Sequence, residues 1–259
     1  MSPLVLSIGG INHDTTLQLI ANPAPGASGG VARNVAEMLA RLGVRVQLFG
    51  AVGDDAQGRA VLAQTRAAGV DVGGVLVRAG GQTGGYTAVL DSRGELYIGL
   101  ADMRLTEELT PEMLKPLQAK ITEAVLVFAD ANLMPETLAW VSAQCADVCT
   151  LALDLVSPEK ARRLAGIFMG TTIVFGNRGE AAALLGGDGP VAKLAAEIVR
   201  SGAARALITD GPGAAAYCDA HEQHLAAPEP VDLVDVSGAG DALIAGFLAG
   251  HLAGKPARA

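Results

Sequence analysis

Basic side chains, aromatics and cysteines are all scarce in this chain, and each shortage excludes a class of function. Lys and Arg number 19 against 27 Asp and Glu, for a formal net charge of −8, and aromatics make up 3% of the residues. Nucleic-acid binding needs a basic footprint and rings on which bases stack; with neither present, a small-molecule partner is expected. Three cysteines, Cys145, Cys149 and Cys218, are too few for a disulfide framework and form no C-x-x-C pair, so they read as core thiols. Apolar runs such as "AVLVFA" (124–129) fall far short of the roughly 18 residues of a membrane-crossing helix. The opening "MSPLVLSIGG" has no basic n-region, and a cytoplasmic location is expected. His221 and His224 stand at H-x-x-H spacing, which could serve a metal, but no third ligand lies near and a solvated hairpin turn accounts for them.

Apolar residues, at 50%, are ample for a buried core. They recur as strand and helix units. "LVLSIGG" (4–10) reads as a buried strand ending in glycines, and "VARNVAEMLARL" (31–42) puts Val31, Val35, Met38, Leu39 and Leu42 on one helical face before Gly43 stops it. Strands follow at 44–50, 124–130, 150–155, 171–176 and 204–211, with helices at 56–68, 135–146, 178–185 and 190–202. Such alternation, with continuous apolar strands, predicts an α/β fold with a mainly parallel central sheet flanked by helices. "TGGYTAVLDSRGELYIGL" (83–100) breaks the pattern as two β-rich runs around a D-S-R-G turn. It is either an ordinary edge hairpin or part of a small β lid drawn from 10–30 and 80–105; the whole chain, 1–259, reads as a single domain with this excursion.

Ligands of parallel sheets collect beyond the strands' carboxyl ends. "DVSGAGDALIAGF" (235–247) sits at such a place, with Gly238, Ala239 and Gly240 at a helix mouth and Asp241 in its first turn. Taken alone it admits two readings. Glycines often break the chain before a helix whose dipole favours an acid. The same amides can also hold a phosphate while Asp241 accepts the proton of an attacking hydroxyl, the arrangement a kinase needs. Neither the P-loop nor the dinucleotide fingerprint is present.

"SGGVARNVAEMLARLG" (28–43) followed by "GAVGDDAQG" (50–58), together with "DVSGAGDALIAGFLAG" (235–250), resembles the paired signatures of the PfkB or ribokinase-like sugar kinases. "SIGGINHD", "GNRGE" and "LITDGPGAAAY" extend the likeness along the chain. The resemblance implies ATP and Mg²⁺, with Asp241 as catalytic base and Gly238, Ala239 and Gly240 as the anion hole. It implies that Asn12, Asp14, Gly29, Gly30 and Asn34 hold the sugar hydroxyls. It further implies that Asn177 and Glu180 contact phosphates, with Glu180 reaching the metal indirectly through water, and that Thr209 and Gly211 line the nucleotide. Arg33 and Arg178 are expected to be solvated on helix surfaces.

Within the family, "GELYIGLADMRLTEELTPE" (94–112) and "VFADANLMPETLAW" (127–140) are most similar to the subgroup that phosphorylates the 5′-hydroxyl of pseudouridine. Asp102 and Asn132 are then the candidates for contacts near base or ribose. The alternatives are a ribokinase or another nucleoside or sugar kinase of the family, or an impaired remnant that only binds nucleoside. Three positions depart from the pattern: Ala101 where the subgroup often has Asn, Ser237 for the usual Thr, and Leu155 after Asp154 where Pro is common. Family members continue for some tens of residues past the last helix to wall the adenine, whereas the sequence ends at "GHLAGKPARA". The resemblance therefore implies weakened ATP affinity, with Ile244, Phe247 and Leu248 partly uncovered. The exposed edges of the lid hairpin imply a possible homodimer.

Overall fold

Fourteen strands form in the computed structural model, which describes residues 3–18, 26–91, 96–168, 172–229 and 237–257. They are β1 Leu4–Ile8, β2 Asn12–Gln18, β3 Ala27–Gly29, β4 Arg45–Phe49, β5 Ala51–Gly53, β6 Leu76–Arg78, β7 Gly84–Leu90 and β8 Leu96–Asp102, then β9 Leu126–Asp130, β10 Thr150–Asp154, β11 Thr172–Asn177, β12 Arg205–Thr209, β13 Ala215–Asp219 and β14 Gln223–Ala226. Eight make one sheet in the order β14-β13-β12-β11-β10-β9-β1-β4. Its strands run parallel from β4 to β12, and β13 and β14 close it antiparallel. All five residues of β9 are buried, which is why its sequence, LVFAD, shows no alternation. Apolar clusters cover both faces, one built around Leu6, Phe49 and Leu153, the other around Val5, Phe128 and Phe175. The fold is the expected α/β architecture, a mainly parallel central sheet flanked by helices with a small second sheet.

Helix Val31–Arg41 packs on the second cluster through Ala32, Val35, Ala36 and Leu39. Leu42, expected on that face, is 58% exposed because the helix has already ended. Helix Ala239–Leu252 lies against it, and here the expectation of uncovered side chains is corrected. Ile244 is 4% and Leu248 0% exposed, buried by the neighbouring helix and sheet; Phe247 alone is half-buried, edge-on to Phe175 at 5.5 Å. Cys145, Cys149 and Cys218 are buried thiols. His221 lies in the turn between β13 and β14, and His224 on β14.

A second sheet, β3-β2-β7-β8, contains the expected hairpin; its turn, 92–95, lies outside the described residues. β2 pairs antiparallel with β3, placing Asn12 opposite Gly29 and Asp14 opposite Ala27, and parallel with β7. Tyr97, Ile98 and Leu100 of β8 are exposed. No helix among the described residues is long and apolar enough to cross a membrane.

The chain leaves β1 toward β4 on one side and later returns to add β9 on the other, so the connections diverge between β1 and β9. Crevices at such switch points are where open sheets bind ligands.

Candidate active site

One buried carboxylate organises that crevice. Asp130 ends β9 with 0% exposure; its Oδ2 accepts from the backbone N–H of Gly10 and of Ala32, both at 2.9 Å, and its Oδ1 accepts from Asn132 N–H at 3.0 Å. It thereby ties together the turn after β1, the first turn of helix Val31–Arg41 and the loop after β9. Gly9 and Gly10 sit so close that a Cβ would strike Asp130 or Asn132, and Gly30, at φ 98°, would drive one into the Gly10 carbonyl.

Over this base the sequence-predicted acceptor residues converge. Asn12 is 2% exposed and donates through Nδ2 to Asp14 Oδ1 at 2.5 Å, while its own Oδ1 is buried with no partner among the described residues. A Cβ on Gly29 would collide with the Asp14 carboxylate. Asn34 Nδ2 donates to Asp241 Oδ2 at 2.6 Å. The cradle thus offers acceptors, Asn12 Oδ1 and the Asp14 and Asp241 carboxylates, to a ligand rich in O–H or N–H donors.

Asp241 belongs equally to a neighbouring cavity of about 190 Å³, lined also by Asp154, Val156, Asn177, Glu180, Thr209 and Gly240. Asn177 caps helix Arg178–Leu185 in a reciprocal capping box with Glu180. Helix Ala239–Leu252 begins after Gly238, at φ 74°, with no side-chain cap from Gly238, and its first amides lie at the positive end of the dipole. Val156 is β-branched yet sits at φ 64°, a left-handed conformation that costs about 1–3 kcal/mol and is held by its N–H donating to Asp154 Oδ1 at 2.9 Å.

The site is crowded with acid. Burial raises Asp14, Asp130 and Glu180 above the ordinary carboxylate range, and raises Asp154 well above it with help from the charges of Glu180, Asp241 and Asp130. Burial pushes Asp241 up to about 6; the Asn34 amide and the Arg33 guanidinium oppose this, while Asp130 and Asp14 add to it. Among the described residues no three His, Cys, Asp or Glu side chains converge to hold a metal directly.

Thr209 reaches the cavity, but Gly211, at φ 54°, does not line it. The Asp102 carboxylate is taken up by Arg104, Nε at 2.9 Å and Nη2 at 2.5 Å, at the end of β8. Asn132, 1% exposed, lies beside Gly10 and accepts from Lys160 Nζ at 2.6 Å. Asp130, Asp154 and Lys160 escaped the sequence reading of the site; the available signal was a lone acid closing each of two wholly apolar strands, LVFAD and TLALD. Arg33 corrects an expectation, being 5% exposed where a solvated helix surface was anticipated, whereas Arg178 is exposed and pairs with Asp188 at 3.1 Å.

Residues 26–259 match the profile of the pfkB family carbohydrate kinases. The chain is 33% identical over 258 residues to the pseudouridine kinase of Escherichia coli, covering 97% of this chain and 82% of that protein. It is 31% identical to the ATP-dependent ribose-1-phosphate kinase of Halopiger xanaduensis, over 95% of this chain and 83% of the other. Among solved structures, a carbohydrate kinase from Agrobacterium tumefaciens superposes with a TM-score of 0.83 at 30% identity, over 100% of this chain and 86% of that one.

Proposed function

Because the chain belongs to the pfkB family of carbohydrate kinases, phosphotransferases that use ATP on an alcohol acceptor, we propose that it phosphorylates the 5′-hydroxyl of pseudouridine. The observation that carries this reading is the double membership of Asp241, which bonds Asn34 of the acceptor cradle and also lines the cavity beside Asn177 and Glu180. A residue so placed stands between an alcohol and a phosphate.

In this reading the ribose lies over Gly29 and Gly30, its hydroxyls donating to Asp14 and to the orphaned Oδ1 of Asn12. Asp241 takes the proton of the 5′-hydroxyl, whose oxygen forms the new bond to the γ-phosphorus. The bond from that phosphorus to the β,γ-bridging oxygen breaks, and ADP leaves. The amides of Gly238, Ala239 and Gly240 stabilise charge on the transferred oxygens. Asn177 contacts phosphates, Thr209 lines the nucleotide, and Gly211, outside the cavity itself, meets it from the turn after β12. The acidic pair Glu180 and Asp154 offers the hard oxygens that suit Mg²⁺ held through water; when bound, the ion neutralises charge on the β- and γ-phosphates.

The four-stranded sheet acts as a lid that excludes water, within a single domain, and brings Asp102 toward the nucleoside. Its exposed Tyr97, Ile98 and Leu100 support a homodimer through the lid. We place the activity in the cytoplasm, where ATP is available.

Lys160 and Asn132 together meet the base, whose carbonyls need donors and whose N–H groups need acceptors. Lys160→Met is expected to raise KM for pseudouridine about tenfold or more with much less change in kcat; an unchanged KM removes Lys160 from the site. The substrate itself is tested by comparing kcat/KM for pseudouridine, uridine, ribose and ribose 1-phosphate with ATP. Pseudouridine should lead, and a preference for free ribose overturns the assignment.

A further inference from the structure

Arg33 faces the interior from helix Val31–Arg41, its side chain 6% exposed, and its planar fork serves three acceptors in different directions. Nε donates to the Gly29 carbonyl at 3.1 Å, Nη1 to Glu37 Oε2 at 2.5 Å, and Nη2 to Asn34 Oδ1. Glu37 is held from its other side by Arg41, through Nε at 3.1 Å and Nη2 at 2.8 Å. Because Glu37 is shared by two guanidiniums, the cluster keeps a net positive charge beside the cradle, and Arg33 makes no contact with the Asp14 or Asp241 carboxylate itself.

The contact with Asn34 decides an orientation. The two ends of an asparagine amide are nearly equal in size, and the neighbours determine which is presented where. A guanidinium has donors only, so it can face just the oxygen of Asn34; the NH₂ end is then turned to Asp241, where Nδ2 donates to Oδ2 at 2.6 Å. With the amide reversed, an oxygen would oppose a carboxylate. We propose that Arg33 is a positioning residue for phosphoryl transfer: through Asn34 it ties down one oxygen of Asp241 and leaves the other for the acceptor hydroxyl. This rests on the reading of Asp241 as the base.

Arg33 also acts on Asp241 by charge. Among the described residues, the groups facing this carboxyl are the Asn34 amide and Arg33 from the first helix, Asp14 from β2, Asp130 from β9, Asp154 from β10 and, across the shared cavity, Glu180 from helix Arg178–Leu185; the cation among these is Arg33. Removing it takes away a positive charge and the constraint on the amide together, and both losses favour the protonated acid.

The test compares the parent with Arg33→Met, Arg33→Lys and Asp241→Asn. Arg33→Met leaves Glu37 still paired with Arg41, so no buried charge is stranded. Its kcat should fall about ten- to hundredfold with KM for nucleoside changed far less. The acid limb of its kcat–pH profile should move up by about one pH unit, and ¹³C titration of the Asp241 carboxyl without substrate should move with it. Arg33→Lys keeps the charge, but one nitrogen cannot reach three diverging acceptors, so it should fall between the two; if the Met variant does not fold, the same measurements on the Lys variant decide. A variant that loses activity while both the limb and the titration stay in place has only a structural fault, and the proposal fails, as it does if kcat is unchanged. If Asp241→Asn retains turnover, the base assignment falls instead, and the substrate-free titration still shows whether Arg33 acts through Asn34.

Discussion

Asp241→Asn is expected to lose kcat by about a thousandfold, to go on binding nucleoside, and to melt at a higher temperature than the parent at pH 8. The loss follows because an amide cannot accept the hydroxyl proton. The stabilisation follows from the sign of the shift. Burial raises the carboxyl from 3.8 unfolded to about 6 folded, so above pH 6 folding must carry an ionised group into a site that prefers it protonated. That penalty, about 3 kcal/mol, is absent in the Asn variant at pH 8, shrinks as pH falls through about 6 and vanishes below the unfolded value. The parent's turnover should correspondingly fall as pH drops through about 6, since the base must be ionised. Melting curves at pH 8 and pH 4, with calorimetric titration of nucleoside, check all three parts. A variant as active as the parent removes Asp241 from catalysis, and a stability difference that grows toward acid pH contradicts the burial argument.

Asp130→Ala is the second large effect. It deletes the acceptor for three backbone N–H groups, of Gly10, Ala32 and Asn132. Each buried donor left without a partner costs about 1–3 kcal/mol, so a loss of 3 kcal/mol or more is expected in urea unfolding. Activity should fall further than the folded fraction does, because Asn12 and Asn34 both flank turns tied by this carboxylate. Parent-like stability would mean that the three amides find other partners, and the account of the cradle would be wrong.

Much of this was legible in the sequence because it depends on local rules. Runs such as LVFAD and LALD could only be strands covered on both faces, and VARNVAEMLARL only a helix with one buried stripe. Gly9 and Gly10 marked the end of the first strand, and Gly29 and Gly30 were placed at the ligand only through the family resemblance. What they pass close to was not legible. Asp130 lies 120 residues from Gly10 and 98 from Ala32, and no periodicity announces a pairing at that distance. Arg33 was read as solvated because its helix position is polar by pattern; the Gly29 carbonyl, Asn34 and Glu37 instead give its guanidinium a buried place. Ile244 and Leu248 were expected to be uncovered because the family's further C-terminal helices are absent from the sequence; their cover is instead helix Val31–Arg41 and the sheet, which lie far earlier in the chain.

The bond between Asn34 and Asp241 closes a separation of 207 residues. Contacts of that span form late, after the loop-closure entropy has been met by nearer pairings. During synthesis, the donor that will hold the carboxylate is made near the beginning and waits while the rest of the sheet assembles. Until helix Ala239–Leu252 docks on helix Val31–Arg41, the two halves of this crevice stay apart, and Asn34 has no carboxylate to hold.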